Sequence, residues 1–306
     1  MSLVPHQPVL LQTIITALQP KSSGRYIDGT IGAGGHSSAI LDECGPDGEL
    51  LGFDLDPQAL ELARNKLAVY GKRVQIIEAS YTSMKVEAEK LGWSAVDGIL
   101  LDFGVSSMQL DTPDRGFSFL RDGPLDMRFS PNASQSAADL VNTLPEDELA
   151  DIIFRYGEER NSRRISRVIV NNRPIQTTGE LANLILSNLG KKERIHPATR
   201  TFQALRIAVN DELGSIETVI PTAVGLLKPG GRLAVISFHS LEDRLVKDYF
   251  RHESVDCICP PRQPICTCGH KASIKEINRK PIEADEDEMQ INSRARSAKL
   301  RIAEKL

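Results

Sequence analysis

Three aspartates each close a short apolar run in the first third of the chain: Asp28, Asp54 and Asp102. Apolar runs separated by helical patterns predict the strands of a parallel sheet, and the carboxyl ends of such strands meet at one edge of the sheet. Carboxylates at that edge can accept hydrogen bonds from a bound ligand. We therefore expect the functional site where these three strands end.

Glycines crowd the segment after the first of these aspartates, Asp28-Gly-Thr-Ile-Gly-Ala-Gly-Gly-His36. A strand, a glycine turn and a helix start are typical of a nucleotide-like ligand, because glycines allow a close approach and the helix N-terminus offers N–H groups. Asp54 lies about 20 residues further on, where a ribose-binding carboxylate belongs. Tyr81 follows the third apolar run, where an adenine is usually flanked. The alternative for Tyr81 is a core aromatic side chain, and the two uses are compatible.

Three kinds of ligand share such a turn. A P-loop requires Gly-Lys-Ser/Thr, whereas His36 and Ser37 stand at those positions, and a dinucleotide site requires a glycine where Ser37 stands. S-adenosylmethionine fits better, because its carboxylate needs backbone donors and its sulfonium gains nothing from a lysine. We expect Asp28 near the sulfonium and Asp54 at the ribose. The turn Leu227-Lys-Pro-Gly-Gly-Arg-Leu is a further feature familiar from methyltransferases.

Strands and helices alternate up to Asp102, where the alternation stops. Residues 103–135 are rich in Gly, Ser, Asp and Pro, residues 136–210 have helical patterns throughout, and strand character returns at Leu227–Phe238. The pattern predicts an α/β fold whose sheet domain is interrupted by an all-helical insert. The predicted boundaries are residues 1–104 and 211–306 for the sheet domain and residues 105–210 for the insert.

Local signals predict several element boundaries. Residues 5–18 have the spacing of a lead-in helix, and Asp56-Pro57 is a helix start with an N-cap acid and a proline at the first helical position. Thr177-x-x-Glu180 is a capping box. Two β-leaning segments, Ile274–Ile282 and Ser297–Ala303, lie near the end of the chain.

Composition gives a 41% hydrophobic, 25% charged chain with a net charge of −4, which is ordinary for a globular protein. No apolar run approaches the ~18 residues that span a bilayer, and the start lacks the pattern of a signal peptide. We expect a cytoplasmic protein without membrane contact.

One stretch departs from the overall balance of charge, because it contains ten basic residues and two acidic ones between Arg160 and Arg206. Phosphate contacts and a solvated helix surface explain it equally well. The candidate RNA contacts are Arg160, Arg163, Arg164, Arg200 and Arg206.

Four of the five cysteines lie close together, as Cys257-x-Cys259 and Cys266-x-Cys268. Thiolates in such a cluster are zinc ligands, although the spacing is tighter than the usual Cys-x₂-Cys. The alternative is a surface loop with reduced thiols. The pattern does not resemble a secreted disulfide framework.

Eight motifs resemble the ribosomal RNA small subunit methyltransferase H family (RsmH, also MraW), nearly end to end and in the same order. They are Asp28–His36, Leu101–Asp111, Arg115–Phe119, Asp122–Arg128, Tyr156–Arg160, His196–Arg206, Ser237–Arg244 and Arg294–Arg301. One departure is Thr30, which replaces the first glycine of the usual Asp-x-Gly-x-Gly-x-Gly pattern of methyltransferases.

The resemblance implies a Rossmann-like class I S-adenosylmethionine-dependent methyltransferase with a helical substrate domain. It implies methyl transfer to the exocyclic N4 of a cytidine in the decoding region of 16S rRNA, within the small ribosomal subunit. Gly34, Gly35 and His36 correspond to the family's cofactor-binding triplet, and Gln109 resembles a further cofactor contact. The residues themselves place Asp102 at the end of the fourth strand, where the reacting atom should lie, so we expect it to contact the cofactor. Asp102 or an adjacent backbone carbonyl is expected to accept from the amine. Monomer and homodimer are both compatible with the sequence.

Three other functions compete with this interpretation. An NAD-dependent oxidoreductase would use the same kind of turn, and a non-catalytic RNA-binding module would need only the basic segment. A methyltransferase acting on another RNA, on DNA or on a protein would share the cofactor residues.

Overall fold

The computed structural model describes residues 8–190, 195–263 and 265–306, with the backbone alone at Ser293. The chain divides into two compact units, which we call the sheet unit and the helical unit. The sheet unit comprises Met1–Gly104 and Leu213–Leu306, and the helical unit comprises Val105–Glu212. The start of the predicted lead-in helix and three basic residues, Lys191, Lys192 and Arg194, lie outside the described residues.

The sheet unit is built on seven strands in the spatial order β3-β2-β1-β4-β5-β7-β6. They are β1 Arg25–Asp28, β2 Glu49–Asp54, β3 Val74–Glu78, β4 Val96–Asp102, β5 Leu227–Ser237, β6 Ile274–Glu276 and β7 Lys299–Lys305. Strands β1 to β5 are parallel, and β7 runs antiparallel to both β5 and β6. This arrangement confirms the predicted Rossmann-like α/β fold with an inserted helical unit.

The lead-in helix, predicted over residues 5–18, begins at Leu11, because the described residues 8–10 are not helical and Leu10 has φ +55°. The described residues form thirteen α-helices. In the sheet unit they are α1 Leu11–Leu18, α2 Gly35–Glu43, α3 Pro57–Leu67 and α4 Met84–Lys90. In the helical unit they are α5 Ser107–Asp111, α6 Ala137–Thr143, α7 Glu146–Gly157, α8 Ser162–Asn171, α9 Thr178–Leu189 and α10 Thr199–Asn210. The three helices that follow in the chain are α11 Glu212–Leu226, α12 Ser240–Glu253 and α13 Glu286–Ile291. No described helix is both long and apolar enough to cross a membrane.

Successive residues of the central strands point to opposite faces of the sheet, and each face has its own core. Ile27, Leu51, Phe53, Ile99, Leu101 and Val235 pack on one face. Tyr26, Leu50, Leu100, Ala234 and Ile236 pack on the other. A strand that is apolar on both faces must be covered by helices on both, which explains the continuous apolar runs in the sequence.

The helical unit has a separate apolar core formed by its own helices and by the irregular segment before them. Three of its helices, α5, α6 and α9, begin with a side-chain capping box. The box of α9 is the predicted one: the Glu180 N–H donates to Thr177 Oγ1 at 3.2 Å, and the Thr177 N–H donates to Glu180 Oε2 at 3.0 Å. The predicted N-cap of α3 is also confirmed, because Asp56 Oδ1 accepts from the Gln58 N–H at 3.1 Å.

One predicted strand is much shorter in the structure. The β-leaning segment Ile274–Ile282 pairs regularly only as β6, with an isolated bridge from Ile282 to Leu300. Between them the Asn278 side chain replaces the backbone in the ladder, since its Oδ1 accepts from the Ile302 N–H at 2.7 Å and its Nδ2 donates to the Leu300 carbonyl at 2.9 Å. A side chain that satisfies both backbone groups removes the need for a continuous strand.

A buried ion pair joins α12 to β7 and gives a stability prediction. Arg301 is 4% exposed and binds Asp243 through Nε–Oδ1 at 2.6 Å and Nη2–Oδ2 at 3.1 Å. We expect Arg301→Ala to lower the free energy of unfolding by ~3–5 kcal/mol, because it leaves Asp243 without its partner in a poorly solvated position. Urea denaturation at neutral pH measures this. The double variant Asp243→Leu/Arg301→Met, which removes both charges, should recover much of the loss; a single-variant loss below ~1 kcal/mol would contradict the assignment.

Candidate active site

The glycine turn between β1 and α2 is fixed to the strands on both sides. The Gly29 N–H donates to the Leu100 carbonyl of β4 at 2.9 Å, and the Ile31 N–H donates to the Phe53 carbonyl of β2 at 2.8 Å. These bonds hold the turn across the carboxyl ends of three strands, where the site was expected.

Asp28 stabilises the turn through two hydrogen bonds. Its Oδ1 accepts from the Thr30 N–H at 3.1 Å, its Oδ2 accepts from the Ser37 hydroxyl at 2.6 Å, and the residue is 1% exposed. Burial raises the pKa of Asp28, while Ser37 and His36 act against that shift. Asp28 therefore holds the turn to α2, and its expected place near the sulfonium stays a prediction.

Two glycines allow the chain to turn into α2. Gly34 has φ +78° and is the N-cap of the helix, and a Cβ at Gly35 would lie 2.3 Å from Pro8 Cγ. No side chain in the described parts of the chain caps this helix start. Backbone N–H groups in the first turn of a helix bind anions when no cap satisfies them, so this end suits the carboxylate of an amino acid.

His36 lies between the lead-in segment and the end of β4. Its Nε2 is 2.8 Å from the Val9 carbonyl, which can only accept, so Nε2 carries a proton. Its Nδ1 faces Asp102 Oδ2 at 3.9 Å, and the ring is buried. His36 therefore joins the start of α2 to the segment before α1, and its ring lies beside Asp102.

Asp54 ends β2 with both carboxylate oxygens aimed at backbone donors. Oδ2 accepts from the Gly32 N–H and Oδ1 accepts from the Asp56 N–H, each at 2.9 Å. Burial raises the pKa of Asp54 to about 6, although these two hydrogen bonds oppose the shift. A carboxylate oxygen has a second lone pair, so the oriented group can still accept from a diol.

Tyr81 lies at the same edge of the sheet. A Cβ at Gly29 would lie 3.1 Å from the Tyr81 Cβ, and the Tyr81 ring is 5.8 Å from the Phe103 ring. Tyr81 is half-buried and packs against the core on that face. The structure thus places it beside the turn, and its contact with adenine stays a prediction.

Asp102 ends β4 and has an acceptor atom without a partner. Among the described residues, Oδ1 of Asp102 is buried and receives no hydrogen bond, while 23% of the side chain is exposed. Burial raises the pKa of Asp102 to about 6; His36 and Arg294 lower it and Asp28 and Glu242 raise it. A buried acceptor without a donor is uncommon and marks a place where a ligand donor would bind.

Two residues of this site were missed in the sequence. The Asp102 N–H donates to Thr30 Oγ1 at 2.7 Å, so the residue that breaks the glycine pattern orients the end of β4. The guanidinium of Arg294 lies 5.7 Å from the centre of the Phe238 ring and acts electrostatically on Asp102. Each had a signal in the sequence: a hydroxyl in place of glycine at Thr30 indicates a hydrogen bond, and Arg294 begins one of the eight motifs.

The helical unit contains Gln109 and the five candidate RNA-contacting arginines. Gln109 is buried, and its Oε1 accepts from the Ser106 N–H at 3.0 Å as part of a capping box on α5. Arg206 is 15% exposed and binds Glu212 with two hydrogen bonds of 2.7 and 3.0 Å. The cofactor contact of Gln109 stays a prediction, and the pairing of Arg206 makes it a poor candidate for phosphate.

The other arginines are more accessible. Arg160 and Arg163 are exposed, and Arg164 is exposed although its Nη2 donates to the Asn188 carbonyl at 2.5 Å. Arg200 is 36% exposed with Glu159 at 3.4 Å from its Nη1. The geometry favours Arg160, Arg163 and Arg164 as the leading candidates for RNA contact.

The four clustered cysteines lie elsewhere in the sheet unit, in the segment between α12 and β6. The Sγ atoms of Cys257, Cys259, Cys266 and Cys268 are all within 4.8 Å of one another. All four thiols are free, as is that of the buried Cys44. The structure thus brings together the residues that the spacing had grouped.

The strand order, the glycine turn that feeds α2 and the carboxylates that end β2 and β4 define a class I S-adenosylmethionine-dependent methyltransferase. The profile of the MraW methylase family matches residues 3–306. The chain belongs to this family, and the resemblance seen in its motifs is confirmed. Family membership also selects methyl transfer over the NAD-dependent and non-catalytic alternatives.

Relatives match over nearly their whole length. A protein of Geobacter sulfurreducens named "Ribosomal RNA small subunit methyltransferase H" is 52% identical over 98% of this chain and 99% of the relative. A protein of Heliobacterium mobile with the same name is 49% identical over 98% and 99%. The solved structure of an rRNA methylase from Streptococcus thermophilus covers 99% of both chains at 11% identity, with a TM-score of 0.43.

Proposed function

We propose that this protein transfers a methyl group from S-adenosylmethionine to the exocyclic N4 of a cytidine in the decoding region of 16S rRNA. The observation that carries the proposal is the unpartnered Oδ1 of Asp102 at the end of β4. An exocyclic amine is a neutral hydrogen-bond donor, and it satisfies a buried acceptor at the position where the reaction takes place. The names of the relatives support a ribosomal RNA substrate.

The residues of the sheet unit fit the cofactor. The uncapped start of α2 after Gly34 and Gly35 would hold the carboxylate of the amino acid, Asp54 would accept from the ribose diol, and Tyr81 would flank the adenine. When bound, S-adenosylmethionine supplies an electrophilic methyl group on a sulfonium. This proposal assigns no role in the reaction to the four clustered cysteines.

Asp102 would act on the nucleophile. The N4 lone pair of cytidine is delocalised into the ring, so the amine is a weak nucleophile and must be aligned with the carbon that it attacks. An ionised Asp102 that accepts from an N–H group orients the amine and stabilises the positive charge that develops on nitrogen. Thr30 positions the end of β4, because its Oγ1 accepts from the Asp102 N–H at 2.7 Å.

The base must leave its stack to reach a strand-end carboxylate, because a paired amine is inaccessible within a duplex. The helical unit, with its exposed arginines, is proposed to bind the surrounding RNA backbone. Phosphate contacts of this kind contribute affinity and orientation more than the choice of sequence.

Methyl transfer to isolated small ribosomal subunits tests the proposed function. The expected product after nuclease digestion and mass analysis is an N4-methylated cytidine that maps to the decoding region. The matched control is a subunit with uridine at the modified position, since uridine has no exocyclic amine. A methyl group on carbon, on ribose, on another RNA or on protein would contradict the proposal.

Removing the exposed arginines should weaken RNA binding in a salt-dependent manner. We expect Arg160→Gln/Arg163→Gln/Arg164→Gln to lower affinity for the RNA and to reduce the slope of log affinity against log salt by about 0.7 per lost phosphate contact. The matched control, Arg64→Gln/Lys66→Gln/Lys72→Gln, removes the same charge from an exposed face of the sheet unit. Equal slopes for the two triple variants would assign the arginines to a solvated surface.

A further inference from the structure

The segment between α12 and β6 has little apolar core of its own. It contains neither helix nor strand among its described residues. Its aliphatic side chains Val255, Ile258 and Ile265 are 40%, 44% and 76% exposed. Burial of apolar area therefore contributes little to its order, and segments of this kind usually depend on a disulfide or a metal.

The two ends of the segment are joined. The Ser273 N–H donates to the Glu253 carbonyl at 2.9 Å, and the Ser273 hydroxyl donates to Glu253 Oε2 at 2.6 Å. His270 Nε2 donates to the His252 carbonyl at 3.1 Å. These contacts fix the base of the loop against the end of α12.

The four cysteine side chains converge above this base. Cys266 Sγ lies 3.6 Å from Cys268 Sγ, and Cys268 Sγ lies 3.9 Å from Cys257 Sγ. A tetrahedral zinc with Zn–S bonds of about 2.3 Å separates its sulfurs by about 3.8 Å. The observed separations match that edge length and are far longer than a disulfide bond.

We propose that Cys257, Cys259, Cys266 and Cys268 bind one structural Zn²⁺ ion that holds the segment between α12 and β6. Each thiol loses its proton to solvent as the metal binds, so the site contains four thiolates. Four protein ligands leave no open position, which makes the site structural rather than catalytic. Tetrahedral sulfur sites select zinc or iron among common metals, and the metal content of the protein distinguishes them.

Metal analysis of the full-length chain, purified without chelator, tests the proposal. We expect one zinc per chain in the wild type and its loss from Cys257→Ser/Cys268→Ser. Two controls should keep the metal: Cys44→Ala, which removes the one cysteine outside the cluster, and His270→Asn, which removes the histidine two residues after Cys268. Co²⁺ in place of zinc should give the visible bands of a tetrahedral thiolate site.

Limited trypsin digestion supplies a readout independent of activity. Arg262 is exposed in the middle of the segment, so chelation should increase the rate of cleavage there by at least ~10-fold, and added zinc should reverse the effect. Four results would overturn the proposal: wild type without metal after supply of zinc, iron in its place, a disulfide among the four cysteines in freshly isolated protein, or unchanged zinc in the double serine variant.

Discussion

Asp102→Ala is expected to lower kcat for methyl transfer by at least ~100-fold while changing the Kd for S-adenosylmethionine by less than ~10-fold. The reason is that Oδ1 of Asp102 is a buried acceptor without a donor in the described structure, and the proposed reaction brings the amine to this atom. Single-turnover assays and calorimetric titration separate the two quantities. Full turnover at unchanged cofactor affinity would remove Asp102 from this role, and Asp97→Asn is a matched control on the same strand, far from its carboxyl end.

The same residue predicts the pH dependence of the reaction. Burial raises the pKa of Asp102 to about 6, and only the ionised form is the strong acceptor. We therefore expect kcat/KM to fall as the pH is lowered through about 6 and to level off above it. Asp54 has a raised pKa of about 6 as well, so the profile must be repeated at saturating cofactor to isolate the contribution of Asp102.

A stability measurement checks the burial of this charge. The pKa of Asp102 rises from 3.8 in the unfolded chain to about 6, so the folded chain binds the proton more tightly and loses stability as the pH rises between these values. Asp102→Asn has no such loss. Its free energy of unfolding relative to wild type should therefore increase by ~1–3 kcal/mol between pH 4 and pH 8. A difference that does not depend on pH would mean that the carboxylate is well solvated.

The parts of the fold that are local in sequence could be predicted. The strand, glycine turn and helix start from Asp28 to His36 follow from residue types that few other conformations tolerate. The N-cap at Asp56 and the capping box at Thr177 depend on atoms at most three residues apart. For such features, the sequence pattern and the structure contain nearly the same information.

The contacts that make the site functional are not local. Thr30 and Asp102 are separated by 72 residues, and Val9 and His36 by 27. The sequence shows that Asp28 and Asp102 each end a strand, but it does not show that one aspartate is saturated by neighbours while the other has an oxygen without a donor. That difference depends on packing around each carboxylate, which requires the folded chain.

Spacing along the sequence groups residues but does not show which of them are available to a ligand, as the cysteine cluster and the basic segment illustrate. Spacing grouped four cysteines, and the structure adds that their sulfurs converge within 4.8 Å. Spacing also grouped Arg206 with the other arginines, although Glu212, six residues later, binds it in a buried pair. Counting charges along the sequence does not distinguish a paired guanidinium from an available one.

Asp54→Ala is expected to raise the Kd for S-adenosylmethionine by at least ~100-fold. The substitution removes the charged acceptor of the two proposed hydrogen bonds from the ribose hydroxyls, each of ~1.5–3 kcal/mol. Isothermal titration with the product S-adenosylhomocysteine gives the same comparison without turnover. Asp56→Asn is the matched control, because it changes the next acid along the chain while an asparagine still caps α3. Affinity close to wild type is expected for this control.

Two physical effects could produce that loss, and a modified ligand separates them. Asp54 accepts from the Gly32 N–H, so alanine would also release the glycine turn. If the carboxylate binds the ribose diol, wild type should discriminate strongly against an analogue that lacks the ribose hydroxyls, and Asp54→Ala should discriminate little. If the carboxylate acts only through the turn, the variant should lose the same factor for both ligands. The second outcome would leave Asp54 as a support of the turn and would require another acceptor for the ribose.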